Sequence, residues 1–317
     1  MKRALQSPSK IRRFVALNTL TENNSLAAFR ESYFRPQIPV VLPRGQFRDL
    51  PAISRWFTAP SSISGDNSSV QSFNYDYLEQ YGDCHVPLEL TTTAFNGNSQ
   101  PEESFKRFHA PLSLFLDWAR SVQSSGLEGT SQVTDKSAGP NAHLYLAQCQ
   151  LLDLAAPLRD DFAAPSYVTG AGKGDIYDTN VWIGIAPTYT PLHRDPNPNV
   201  FVQLAGTKHV RLLPANVGLG VFDRVRERMG RSGGSRSAAL RGEDMMYGLE
   251  KQLLDQEIWG DRQNDDNIRL EQGKNGEEYG YEAVVNAGDG IFIPMGWWHS
   301  IKGVGQGITA SVNWWFR

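Results

Sequence analysis

The spacing of apolar residues along this chain changes character near residue 140. Before that point it is mixed. Leu26, Phe29, Tyr33 and Phe34 in LAAFRESYF recur at helical intervals, and IPVVLP at residues 38–43 predicts a short buried strand. A short helix is expected at 53–57, a polar loop in SSISGDNSS at 61–69, a helical turn in YDYLEQYG and a strand in HVPLEL. After a second loop over 96–103, PLSLFLDWARSV at 111–122 predicts an amphipathic helix with proline near its first turn. Residues 124–141 are expected to be a flexible connection.

Beyond it the texture is that of strands. HLYLAQC, NVWIGIA, FVQLAG, HVRLLP, EAVVNAG, GIFIP and ITASVNWWF follow one another, punctuated by Gly, Pro and Asn. Many short strands with such turns predict a mainly β sandwich or barrel, of which the jelly-roll and cupin class is one form. One stretch, about 216–280, interrupts the pattern with charge and with six arginines between Arg224 and Arg241. It is expected to be a solvated insertion, with a lid or substrate-recognition arm as the functional alternative and a helix in MMYGLEKQLLDQEIW. The expected organisation is one structural unit, in which an N-terminal part over 1–140 packs on a β core over 141–317.

Composition narrows the class. The chain has 317 residues, 40% hydrophobic and 21% charged, with a formal net charge of −3. That argues against a dedicated nucleic-acid binder while leaving room for a local basic patch. No apolar run approaches the roughly 18 residues that span a bilayer. Cys84 and Cys149 are the two cysteines and form no CxxC pair, which disfavours disulfide scaffolds and cysteine zinc sites. A cytoplasmic or nuclear setting is expected. MKRALQSPSKIRRF, with five basic residues, fits either a mitochondrial presequence or a plain basic first helix.

The chemistry gathers in TPLHRDPNPNVFVQLAGTK and IPMGWWHS. In a strand, residues i and i+2 share a face, so His193 and Asp195 can address one metal. His299, from a distant strand, would complete two imidazoles and a carboxylate, the ligand set of non-haem Fe(II) oxygenases. HxD alone occurs often by chance, and a satisfied histidine with a turn aspartate is its bland alternative. His85, His109, His143 and His209 lack a ligand context, and Asp289 in GDG reads as a turn residue. Lys208 follows a turn at 205–207. It is either exposed beside that turn or points inward, where burial would require an anion.

Taken as a set, the order T-x-x-H-x-D, N, K, IPxxWWH and VNWW resembles the JmjC family of Fe(II)- and 2-oxoglutarate-dependent oxygenases. The likeness is greatest to its small protein-hydroxylase branch, typified by the asparaginyl hydroxylase that inhibits hypoxia-inducible factor. The resemblance implies a double-stranded β-helix with Fe(II), 2-oxoglutarate and O2 as cofactors and His193, Asp195 and His299 as iron ligands. It implies that Lys208, with Thr190 and Tyr145, holds the distal carboxylate of 2-oxoglutarate. Asn199 and Asn313 match positions lining the co-substrate, and Trp315 matches a wall of the substrate cleft. Arg194 and Pro196 depart from the likened hydroxylase and bear on substrate approach. The likened hydroxylase continues into dimerising helices after its last strand, whereas this sequence stops at Arg317, which leaves monomer and dimer both open.

The implied activity is hydroxylation of a protein side chain, with 2-oxoglutarate converted to succinate. Three alternatives stand beside it: lysine demethylation of histones, oxidation of a small molecule or modified RNA base, and a non-catalytic binding cupin. Many demethylases of the family carry Glu where this chain has Asp195, which puts demethylation second.

Overall fold

In the computed structural model the described residues are 13–21, 25–59, 61–62, 69–95, 101–127, 141–231, 245–260 and 279–317. Along the chain run β1 (Arg13–Ala16), α1 (Leu26–Phe29, continued by a π-helical turn Arg30–Phe34), β2 (Val40–Val41) and α2 (Pro51–Trp56). Next come β3 (Ser61–Ser62), β4 (Ser69–Val70), α3 (Tyr75–Leu78), β5 (His85–Phe95), β6 (Pro101–Pro111) and α4 (Leu112–Leu127). Then follow β7 (Asn141–Gln150), α5 (Ala156–Arg159), α6 (Ser166–Ala171), β8 (Ile176–Ile185), β9 (Thr188–Arg194), β10 (Asn199–Ala205) and β11 (Thr207–Leu213). The last elements are α7 (Ala215–Arg228), α8 (Gly248–Trp259), β12 (Tyr279–Asn286), β13 (Gly290–Ile293), β14 (Trp298–Val304) and β15 (Ile308–Phe316).

The strands form a five-stranded sheet, β1-β12-β11-β14-β9, and an eight-stranded sheet, β2-β13-β10-β15-β8-β7-β5-β6. Alternation explains how they meet. Phe201, Val210, Leu212, Ile291, Ile293 and Ile301 form one apolar cluster between the two sheets, and the polar site residues line the same interior. This is the mainly β, cupin-like arrangement expected from the strand pattern. The outer face of the larger sheet is covered by α4, whose Leu112, Phe115, Leu116 and Ala119 fall at i, i+3, i+4 and i+7 and are buried against Leu88 and Leu146. Strands from the first 140 residues join sheets built by the later ones, as β1 pairs with β12, β2 with β13 and β5 with β7.

Several local expectations change. Residues 101–103, read as loop, begin β6, an edge strand whose charged PEESFKRF gives little apolar alternation. The basic first helix is not formed at its C-terminal end: Arg13 and Phe14 lie in β1, while residues 1–12 lie outside the described set, as does most of the 124–141 connection. The 216–280 segment, expected to be solvated, contributes two packed helices. Val217, Val221, Phe222 and Val225 of α7 meet Leu253, Leu254 and Ile258 of α8 and bury Trp298 between helix and sheet. Each such side chain stabilises by roughly 1.5–3 kcal/mol. Three of its arginines are engaged with acids: Arg226 and Arg231 reach the buried Glu250, and Arg228 reaches Glu257. Arg236 and Arg241 lie outside the described residues.

Gly218 of α7 lies against the Trp298 indole, and a Cβ there would sit 2.1 Å from Cγ of that ring. Trp298 precedes the ligand candidate His299 on β14. Gly218→Ala is therefore expected to destabilise the fold by about 1–3 kcal/mol through overpacking, read as a lowered Tm.

Candidate metal centre and co-substrate cleft

β9 and β14 are hydrogen-bonded neighbours, and their register sets His193 directly opposite His299. Facing residues in an antiparallel pair lie about 4.5–5.5 Å apart, which brings the two rings together. Their centroids are 4.2 Å apart. Asp195 follows the last residue of β9 and turns into the same space. One ligand atom from each of His193, Asp195 and His299 lies within 4.8 Å of the others, and all three residues are buried. His193 Nε2 is 3.9 Å from Asp195 Oδ1, and His299 Nε2 is 3.7 Å from Asp195 Oδ2.

The surroundings orient these groups for a metal. Nδ1 of His193 lies 2.9 Å from the Pro191 carbonyl, and Nδ1 of His299 lies 3.4 Å from the Trp297 carbonyl. A proton on each Nδ1, donated to the carbonyl, leaves both Nε2 lone pairs facing Asp195. Asn199 Nδ2 donates to Asp195 Oδ2 at 2.8 Å and fixes that carboxylate. Two neutral imidazoles and one carboxylate, with no cationic side chain paired to Asp195 among the described residues, fit a divalent metal held on one side. Asn199→Ala is expected to weaken divalent-metal binding by about 10–100-fold while the fold persists, measured by competition with a fluorescent chelator.

Around the triad lies a cleft with about 390 Å³ of space not filled by protein atoms, part of it open to solvent. It is lined by Tyr145, Trp182, Thr190, Asn199, Phe201, Lys208, Ile301, Asn313 and Trp315 together with the three ligand candidates. Lys208 points inward rather than lying exposed beside its turn. It is 3% exposed, donates to Ser311 Oγ at 2.7 Å, and makes no ion pair among the described residues. Burial pushes its ammonium well below the ordinary lysine range, to about 7. Asn199 Oδ1, Asn313 Nδ2 and Trp315 Nε1 are also buried without partners. A buried cation without a counter-ion among the described residues fits an anionic ligand, and the two orphaned donors and one orphaned acceptor beside it fit further polar groups bound in the cleft.

Thus nine of the ten residues singled out from the sequence line one cleft. The tenth, Arg194, does not. Alternation along β9 turns it away from the metal ligands, and its guanidinium lies 5.9 Å from the centre of the Trp298 ring. Tyr145 reaches the cleft because Gly184 leaves room: a Cβ there would come 2.4 Å from the Tyr145 ring. Sequence reasoning missed Trp182, which donates from Nε1 to Asn313 Oδ1 at 2.6 Å. It also missed Phe201 and Ile301, each two residues from a chosen position on the same strand face, a spacing that would have found them. His85, His109, His143 and His209 all lie away from the cleft lining, and Asp289 serves its turn by accepting from Arg44, Gly45 N and Asn286 N. No helix among the described residues is long and apolar enough to cross a membrane.

Comparison with known proteins agrees with this geometry. A family model described as a cupin-like domain matches residues 26–317. Lysine-specific demethylase JMJ30 of Arabidopsis thaliana is 26% identical over 292 residues, covering 92% of this chain and 53% of that protein. Lysine-specific demethylase 8 of Xenopus tropicalis is 23% identical, with 92% and 51% covered. JmjC domain-containing protein F of Dictyostelium discoideum is 22% identical, with 92% and 60% covered. The chain thus spans about half to three-fifths of the length of these relatives. With the match covering nearly the whole chain, this protein belongs to the cupin-like domain family, in the JmjC branch of Fe(II)- and 2-oxoglutarate-dependent oxygenases.

Proposed function

We propose that this chain holds Fe(II) and 2-oxoglutarate in the cleft and oxygenates a protein side chain. The observation that carries the reading is the convergence on one cavity of a buried His-Asp-His set with a buried lysine that makes no ion pair among the described residues. His193, Asp195 and His299 would hold the metal, and Lys208 would meet the distal carboxylate of the co-substrate, assisted by Thr190 and Tyr145. When bound, the metal and co-substrate supply the oxidising power to insert one oxygen atom of O2 into a C–H bond, with 2-oxoglutarate converted to succinate and CO2. The chain's own part is geometric and electrostatic. Asn199 steadies Asp195, Ser311 orients the Lys208 ammonium, and Phe201 and Ile301 keep water from the inner cleft.

The target is proposed to be a lysine N-methyl group. Two of the relatives are named lysine-specific demethylases, which favours demethylation over the plain hydroxylation put first from the sequence. The chemistry is shared, since oxygen inserted into an N-methyl carbon gives a hemiaminal that releases formaldehyde. An RNA substrate loses support because Arg226, Arg228 and Arg231 are engaged with acids. The test incubates the protein with Fe(II), 2-oxoglutarate and a library of methylated and unmethylated histone-tail peptides, read by mass spectrometry. Loss of a methyl mass with formaldehyde supports the proposal. Gain of one oxygen mass without formaldehyde returns the protein to hydroxylation.

A further inference from the structure

Asn180 lies on β8 with no solvent exposure, and neither end of its carboxamide has a hydrogen-bond partner. The other interior amides are each anchored at one end. Gln203 Nε2 donates to Ala205 O and Thr309 Oγ1, Asn199 Nδ2 donates to Asp195, and Asn313 Oδ1 accepts from Trp182. Among buried side chains of the described residues, Asn180 alone is an amide unpaired at both ends. Unpaired buried polar groups are few in native proteins and carry an uncompensated desolvation cost, which an apolar residue of similar shape would avoid.

Asn180 is not itself among the residues lining the cleft; strand geometry places it directly beside that lining. Asn180 shares a strand face with Trp182, which lines the cleft, whereas Val181 and Ile183 lie in the outer core. Across the ladder it directly faces Asn313, and Trp315 is the next residue of that strand on the same face. Asn313 Nδ2 and Trp315 Nε1 are buried and unpaired too. The wall residues Asn313 and Trp315 together with the adjoining Asn180 therefore offer three unpaired donors (Asn180 Nδ2, Asn313 Nδ2 and Trp315 Nε1) and one acceptor, Asn180 Oδ1. A carboxylate would satisfy the donors and leave the acceptor bare, and a trimethylated ammonium would satisfy none of them. An amide, which accepts through oxygen and donates through N–H, satisfies both kinds.

We propose that Asn180 is a substrate-recognition residue whose carboxamide pairs with an amide group of the protein substrate, seated beside Asn313 and Trp315. This rests on the oxygenase reading of the cleft. The amide comes from the peptide backbone flanking the oxidised side chain, which is compatible with a methyl-lysine target, or from a side-chain carboxamide.

The test loads the full chain anaerobically with Fe(II) and 2-oxoglutarate and adds three small probes: N-methylacetamide for the backbone group, propionamide for the side-chain group, and tetramethylammonium. Proton NMR reads the paramagnetic broadening of each probe by the bound metal. An amide probe is expected to broaden more than tetramethylammonium, the stronger of the two amides identifying the source. The effect is expected to fall roughly tenfold in Asn180→Leu. The same variant is expected to have a higher Tm than wild type, because it removes an unpaired amide. Asn180→Asp, which keeps the shape and removes the donor, gives the same loss of broadening should leucine not be tolerated. Equal broadening by tetramethylammonium, or undiminished amide broadening in both variants, would overturn the proposal. A wild type that shows no visible charge-transfer band with Fe(II) and 2-oxoglutarate sinks the oxygenase reading instead, and does so before any probe is added.

Discussion

Asp195→Ala is expected to abolish the visible charge-transfer band that wild type gives when titrated anaerobically with Fe(II) and then 2-oxoglutarate. Asp195 is the sole anion among the three ligand candidates, and all three are buried. Its removal leaves a divalent cation facing two neutral rings in a low-dielectric interior, where uncompensated charge is costly. One ligand of a tight metal site contributes on the order of 3 kcal/mol, so metal affinity is expected to fall at least about 100-fold. His193→Ala is expected to behave similarly. A variant that retains the band at wild-type metal concentration would remove Asp195 from the centre.

Lys208→Met is expected to uncouple stability from co-substrate binding. The ammonium is fully buried, bonded to the Ser311 hydroxyl, and pushed down to about 7. An unfolded chain holds that lysine near its ordinary value, about 10.5. Between the two values the unfolded state binds the proton and the folded state does not, so this residue makes the ligand-free fold more stable as pH rises from about 7 to about 10.5. Below about 7 both states are charged and the burial cost is present in full. Methionine removes the cost, and the ligand-free protein is expected to gain on the order of 2–4 kcal/mol at neutral pH. The same change is expected to raise the 2-oxoglutarate concentration needed for the band by roughly 10–100-fold, the loss of one charge-assisted hydrogen bond. In wild type, a bound carboxylate draws the lysine back to its charged form. Binding therefore takes up a proton above pH 7, and affinity falls about tenfold per pH unit over that range. Calorimetry in buffers of different ionisation enthalpy measures that uptake. A buffer-independent heat at pH 8 would remove Lys208 from the anion site.

How far the sequence carries depends on whether a residue's environment is local. The runs FVQLAG, HVRLLP and GIFIP declare β10, β11 and β13 because their apolar content is dense and bounded by turn residues. The β6 run hides because an edge strand carries Lys106, Arg107 and His109 outward. α7 hides because its apolar stripe (Val217, Val221, Phe222 and Val225) is diluted by two glycines and five charged residues. The cleft was legible wherever a residue type is unusual for its setting, as with His193, Asp195, His299 and Lys208. Asn180 was not legible. An asparagine before an apolar run is ordinary, and its lack of a partner exists only once β15 and β8 are paired.

The register that sets His193 against His299 also divides the chain by its tolerance to length change. Shifting β9 or β14 by one residue would turn a ligand to the opposite face. The connection from β11 to β12 is different: both its ends enter strands already held in register, β11 by β14 as well as by β12. A reporter domain or a binding peptide inserted between α7 and α8 should therefore leave the ligand set in place. For protein engineering, that makes this connection a graft site, in contrast to β9 and β14, where a change of length moves a ligand.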